Sequence, residues 1–144
     1  MMLLFYQVLA VGLIATTAMT LFSYALSSIF NKKYKEPQLI NELISRSSKI
    51  PFNLFKEHVL GWIIHLLVGL GFIVVFKILL WLDLFNLTIK SGVLYGFLTG
   101  LVGILFWGVS LRLHSNPPKL NRTQYLIHLI PAHVTFGLTT VLVL

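Results

Sequence analysis

A chain of 144 residues, 57% of them hydrophobic and only 10% charged, with a mean hydropathy of +0.89, is too apolar for a soluble domain, in which about a quarter of residues carry charge. The absence of cysteine excludes disulfides, thiolate nucleophiles, iron–sulfur clusters and covalently attached c-type haem, which leaves histidine as the residue for any metal or redox chemistry. A net charge of +7 would point a soluble protein toward nucleic acid, but here the basic residues cluster in short loops beside apolar segments, where they encode topology; the expected partner is the lipid bilayer.

The expected fold is an all-α integral membrane protein: one domain, residues 1–144, of four transmembrane helices arranged as two hairpins. The first span is predicted over 3–30. It lacks the basic n-region and short h-region of a cleaved secretory signal and is therefore read as a retained helix. Gly12, Thr16 and Thr20 recur every fourth residue, with Ala15, Met19, Ser23 and Ser27 on an adjacent stripe. Small residues at this spacing let two helix backbones approach closely, and the hydroxyls can bond back to the carbonyl four residues earlier without needing a ligand.

Residues 31–58 form the longest polar stretch, with Lys32, Lys33, Lys35, Arg46, Lys49 and Lys56 against Glu36 and Glu42. Within it, Pro37 is placed to open a short helix that presents Leu39, Ile40, Leu43 and Ile44 on one side before Pro51 stops it. That is the pattern of an interfacial segment seating the loop at the headgroups, with anionic lipid or a partner protein as its occupant if it binds one.

The second span, predicted over 59–82, carries His65 between Gly61 and Gly69. An ionisable side chain is costly in hydrocarbon, so His65 is expected to face protein, and the glycines one turn either side clear space on its face. Lys77, near Trp81, is expected to extend its ammonium to the interface. The connection 83–91 is short, which predicts that spans two and three are antiparallel neighbours.

The third span, 92–111, holds Gly92, Gly96 and Gly100 at four-residue spacing, then Gly103 and Gly108. Close backbone contact in lipid is driven by van der Waals fit, so this series predicts a groove for another helix, from a second copy or a partner membrane subunit. Asn116-Pro117-Pro118 makes a rigid turn into the fourth span, 124–144, which carries His128, Pro131 and His133. Pro131 cannot donate to the Ile127 carbonyl, so a bend is expected beside the histidines.

His65-Leu-Leu-Val-Gly69-Leu echoes His133-Val-Thr-Phe-Gly137-Leu, each in the second helix of a hairpin, which suggests a parallel repeat about a pseudo-twofold axis. Nine of the eleven basic residues lie in 31–58 and 112–123; the other two are Lys77 and Lys90. The positive-inside rule therefore predicts cytoplasmic loops at 31–58 and 112–123 and both termini outside. At about 1.5 Å per residue, His65 lies roughly 9 Å deep and His133 roughly 14 Å, with no acidic residue beside them.

Five histidines are too few for a membrane di-iron centre. His128 and His133 point about 140° apart on a helix, too far to share a zinc ion. Neither Thr135 nor Ser110 has an acid partner for a nucleophilic triad. Haem b needs only two facing imidazoles with glycines beside the flat ring, which His65 with Gly61 and Gly69, facing His133 with Gly137, would supply, with His128 as the other ligand in reach. Against this stands the plain expectation that each histidine bonds a hydroxyl or carbonyl on a neighbouring helix.

The pieces Leu60-Gly61-Trp62-Ile63-Ile64-His65 with Gly69, Tyr95-Gly96 with Gly100, and His133 with Phe136-Gly137-Leu138 resemble a bacterial family of uncharacterised small four-helix membrane proteins, domain-of-unknown-function family 2938. The resemblance spans the last ninety residues or so and implies a four-helix bundle of the inner membrane with no assigned activity. The expected function is a non-enzymatic accessory, binding or assembly subunit, with a b-type haem protein and a small-solute or proton pathway as the alternatives.

Overall fold

In the computed structural model, residues 2–48 and 53–144 are described, so Lys49 and Pro51 lie outside the described residues. The described residues form five helices: α1 (Met2–Phe30), α2 (Glu36–Ser45), α3 (Val59–Trp81), α4 (Ile89–Leu113) and α5 (Arg122–Val143). All but α2 are long and apolar enough to cross a membrane.

Local chemistry sets the helix ends. Asn31 (φ 49°) and Asp83 (φ 56°) adopt the left-handed conformation just past α1 and α3, a role that asparagine and aspartate tolerate better than most residues. Lys32 N–H then reaches back to Ser27 O (3.0 Å) and Leu84 N–H to Leu79 O (3.0 Å), closing Schellman-type ends. At the starts, His58 Nδ1, Thr88 Oγ1 and Asn121 Oδ1 accept the amides of Leu60, Ser91 and Gln124. His114 at the end of α4 accepts the Asn116 amide on Nδ1 and donates from Nε2 to Leu43 O of α2 (3.0 Å). His58 and His114 are thus accounted for as structural residues.

Packing follows the small-residue stripes. The buried face of α1 is Val11, Gly12, Ala15, Thr16, Met19, Thr20, Ser23 and Ser27, and it seats α3 on one side and α5 on the other. Thr16 fills the space left by Gly69, and Leu70 that left by Gly12. The most extensive contact is α4 on α5. Gly92 lies against Gly137 and Val141, Gly96 against the His133 and Val134 backbone, and Gly100 against Ile130; a Cβ on Gly96 would stand 2.6 Å from Val134 Cα. The glycine series is therefore filled by α5 of the same chain, which removes the expected groove for a second copy or partner through Gly92, Gly96 and Gly100.

Two further expectations change. Helices α3 and α4 are joined at one end, where the Tyr95 hydroxyl donates to Phe72 O and Phe76 packs 4.7 Å from the Tyr95 ring, but they are not packed along their length. The apolar side of α2 does not lie free. Leu39 is fully buried with Trp107, Leu111, Tyr125 and Leu129, and Ile40 and Leu43 pack against that cluster, so α2 closes one end of the bundle. Helix α5 continues through Pro131, whose ring lies on the exposed side, and the Thr135 hydroxyl donates to Pro131 O (3.0 Å). Lys77 donates to Gln7 Oε1 of α1 (2.9 Å).

Candidate functional site

Because α4 is drawn tightly onto α5 while α3 is drawn onto α1, the two halves part beneath α2. The result is a cavity of about 390 Å³. Its walls are Ile64, Val68 and Phe72 of α3 and Val102, Phe106 and Trp107 of α4, with Met19 and Phe136 at the back and Ile40, Leu43 and Ile44 of α2 closing the end. Val68, Val102 and Phe106 are each more than half exposed, so the mouth opens between α3 and α4 on the apolar outer surface of the bundle. A cavity of this size with apolar walls and a few polar groups is the usual form of a small-molecule site.

Those polar groups are His65, His133 and Glu36. The hydrogen bonds fix the imidazole tautomers. Thr20 has one hydroxyl proton and spends it on Thr16 O (2.7 Å), so the 3.0 Å bond to His65 Nε2 is donated by the ring, and His65 Nδ1 keeps its lone pair. His133 donates from Nδ1 to Leu129 O (2.8 Å), which leaves its Nε2 as a lone pair; the ring edge rests over Gly103, where a Cβ would stand 3.1 Å from Cε1. His65 thus meets the expected hydroxyl on a neighbouring helix, whereas His133 bonds a carbonyl of its own helix, one turn back, and each keeps one bare nitrogen.

Glu36 is 2% exposed, the first residue of α2, and sits against α1 and α5. Its Oε1 lies 2.9 Å from Ser23 Oγ and 3.4 Å from His128 Nε2, while Ser23 Oγ lies 3.0 Å from the same nitrogen. His128 Nδ1 donates to Tyr125 O (3.2 Å), and Tyr34 stacks on the imidazole at 4.2 Å. The Ser23 hydroxyl donates to Glu36 Oε1 and its oxygen lies within hydrogen-bond reach of His128 Nε2, so the three groups form one chain that ends where His128 Nδ1 donates to Tyr125 O. Burial pushes the Glu36 carboxyl up to about 8, with its own backbone amide and the Ser23 hydroxyl pulling the other way. Glu36 Oε2 has no hydrogen-bond partner.

This trio is not a hydrolytic triad. Serine and acid converge on the same imidazole nitrogen, whereas the triad needs the acid on the other one, and Ser23 is fully buried. Nor do the residues fit a haem. Gly61 is filled by Pro37 O and Asn41, Gly69 by Thr16, and Gly137 by Gly92 and Gly96, so none of the three offers an open flat face. His65 Nε2 is committed to Thr20, and His128 does not line the cavity. Among the described residues, no three histidine, aspartate or glutamate side chains converge on a metal position.

Of the expected site residues, His65 and His133 come together on one cavity, His128 belongs to the neighbouring network, and the three glycines serve helix packing. Glu36 was missed, since it counted only as a loop charge, although it stands three, four, seven and eight residues before the apolar Leu39, Ile40, Leu43 and Ile44 and so shares their face of the helix. No family model, no curated protein and no solved structure matches this chain.

Proposed function

We propose that this is a non-enzymatic membrane binding protein that admits a small, membrane-soluble molecule through the α3–α4 mouth into the cavity beneath α2. The observation that carries the reading is the cavity of about 390 Å³ whose apolar walls are interrupted by His65, His133 and Glu36. A partner-assembly role loses its motive once α5 occupies the glycine series. A solute or proton pathway is favoured second, by the single proton that Glu36, Ser23 and His128 can share. The charge distribution supports the orientation in which both termini face outward, loops 31–58 and 112–123 are cytoplasmic, and α2 caps the bundle near the headgroups, as in a bacterial inner membrane. A reporter fused at Leu144 is expected to score as external.

The binding test uses triphenylphosphine oxide, a neutral, compact, apolar molecule with one polar atom. Purified protein in lipid nanodiscs is expected to bind it saturably at one site and to gain thermal stability. Val102→Phe, which fills the mouth from an exposed position, is expected to weaken binding at least tenfold while leaving the fold intact. Binding that never saturates, or that ignores Val102→Phe, would sink the reading.

A further inference from the structure

The chemistry of the cavity is one-sided. His65 presents a lone pair on Nδ1 and His133 a lone pair on Nε2, because the other nitrogen of each ring is spent as a donor. Glu36 adds a buried carboxyl whose Oε2 has no partner. Around these acceptors stand the rings of Phe72, Phe106, Trp107 and Phe136, whose faces carry the negative lobe of the aromatic quadrupole. The described lining residues include no lysine or arginine. Four described lysines, Lys32, Lys33, Lys35 and Lys56, instead line a separate pocket of about 200 Å³ on the opposite face of α2. A neutral apolar occupant would leave the carboxyl unserved, and an anion would meet only lone pairs and ring faces. A weakly hydrated cation with an apolar body satisfies every group present.

We propose that the cavity selects a lipophilic monocation, an alkyl- or aryl-substituted ammonium or phosphonium, with its charge on the Glu36 carboxylate and its apolar groups among Phe72, Phe106 and Trp107. This rests on reading the cavity as a binding site. Glu36 then carries either a proton or the cation: binding breaks the carboxyl O–H bond, and the proton is released as the cation takes its place. The ionisable groups facing Glu36 are Tyr24 on α1, His128 and Tyr125 on α5, and Lys35 beside it in the chain, with His65 on α3 and His133 on α5 lining the same cavity. Ser23 offers the proton a route to His128, but an imidazolium next to a bound cation would leave two positive charges on one carboxylate, so the proton passes on to water. Since burial holds the empty carboxyl at about 8, apparent affinity for the cation rises about tenfold per pH unit from about pH 6 to about 7 and levels off above about 8.

The test compares methyltriphenylphosphonium with its neutral analogue triphenylphosphine oxide on the full chain in nanodiscs. The expected result is one saturable phosphonium site, about one proton released per cation at neutral pH in weakly buffered solution, and the stated rise in affinity with pH. Glu36→Gln, which keeps the contact to Ser23, is expected to abolish the pH dependence and weaken phosphonium binding at least thirtyfold, so that the preference for the cation over the oxide is lost. Glu36→Asp is expected to keep a pH-dependent preference for the cation. Equal affinity for cation and oxide at every pH, unchanged by Glu36→Gln, overturns charge selection and leaves the binding-site reading standing. Tighter binding of tetraphenylborate than of the phosphonium also overturns it. Binding of neither triphenyl probe defeats both readings.

Discussion

The two sides of α4 show how one helix can make both the tightest and the loosest contact in a bundle. Toward α5 it presents Gly92, Gly96 and Gly100, and at Gly92 and Gly96 the backbones meet with no room for a methyl group. Toward α3 it presents Tyr95, Val102 and Phe106; Tyr95 ties the helices at one end, and beyond it the gap becomes the cavity. In lipid there is no hydrophobic force to close such a gap, because an apolar wall is as well solvated by acyl chains as by another helix. Close contact must be written into the sequence as small residues, and where they stop the helices are free to part.

Gly96→Leu strikes the tight side and is expected to have the largest effect. With Val134 Cα 2.6 Å from a Cβ there, overpacking should cost about 3 kcal/mol or more, read as loss of the folded protein in detergent. An unchanged melting temperature would show that the α4–α5 contact is not as close as described.

The open side has a pH signature. Glu36 stands at about 8 in the folded protein against an ordinary value of 4.5, so the stability it contributes is full below about 4.5 and is lost as pH rises through about 8. Without ligand, the melting temperature is therefore expected to fall over that window. Glu36→Gln should flatten the curve and exceed the parent protein at about pH 9 by a few kcal/mol, at about 1.4 kcal/mol per pK unit. Parallel curves for the two proteins would mean that the carboxyl is not buried.

Tyr95→Phe removes a hydrogen bond that ties α3 to α4 beside the cavity, and should cost about 0.6–1.5 kcal/mol while loosening the cavity, seen as weaker oxide binding. Gly71→Ala marks the smallest effect. Nothing lies within 4 Å of a Cβ there, so stability should change by less than about 0.5 kcal/mol. A large loss at Gly71 would reveal a helix contact on a surface assigned here to lipid.

The helices themselves were legible, because long apolar runs and their basic flanks follow from the cost of leaving backbone groups unsatisfied in hydrocarbon. The packing stripe on α1 was legible for the same kind of reason, and Gly12, Thr16 and Thr20 are buried as their spacing implies. Which helix would fill the Gly92 series was not, since a row of small residues states that something fits but not whose backbone it is. His65 and His133 could be placed in the protein interior from sequence, but their shared cavity depends on two different helix pairs diverging, and no local pattern encodes that. Glu36 was readable in principle from its register with Ile40, Leu43 and Ile44, yet a helix-opening charge in a basic loop looks like a solvated one until α2 is seen to fold over the bundle.

The most direct test of the cavity uses Trp107, which is 6% exposed and lines it. In a Trp62→Phe, Trp81→Phe background it is the sole tryptophan, and (4-bromophenyl)diphenylphosphine oxide supplies a heavy-atom quencher on the neutral probe. The cavity account predicts saturable quenching of Trp107 in nanodiscs that excess unbrominated oxide reverses and Val102→Phe abolishes. Fluorescence that does not respond to the brominated probe, or that falls linearly without competition, would contradict it and leave the gap between α3 and α4 as a place for lipid alone.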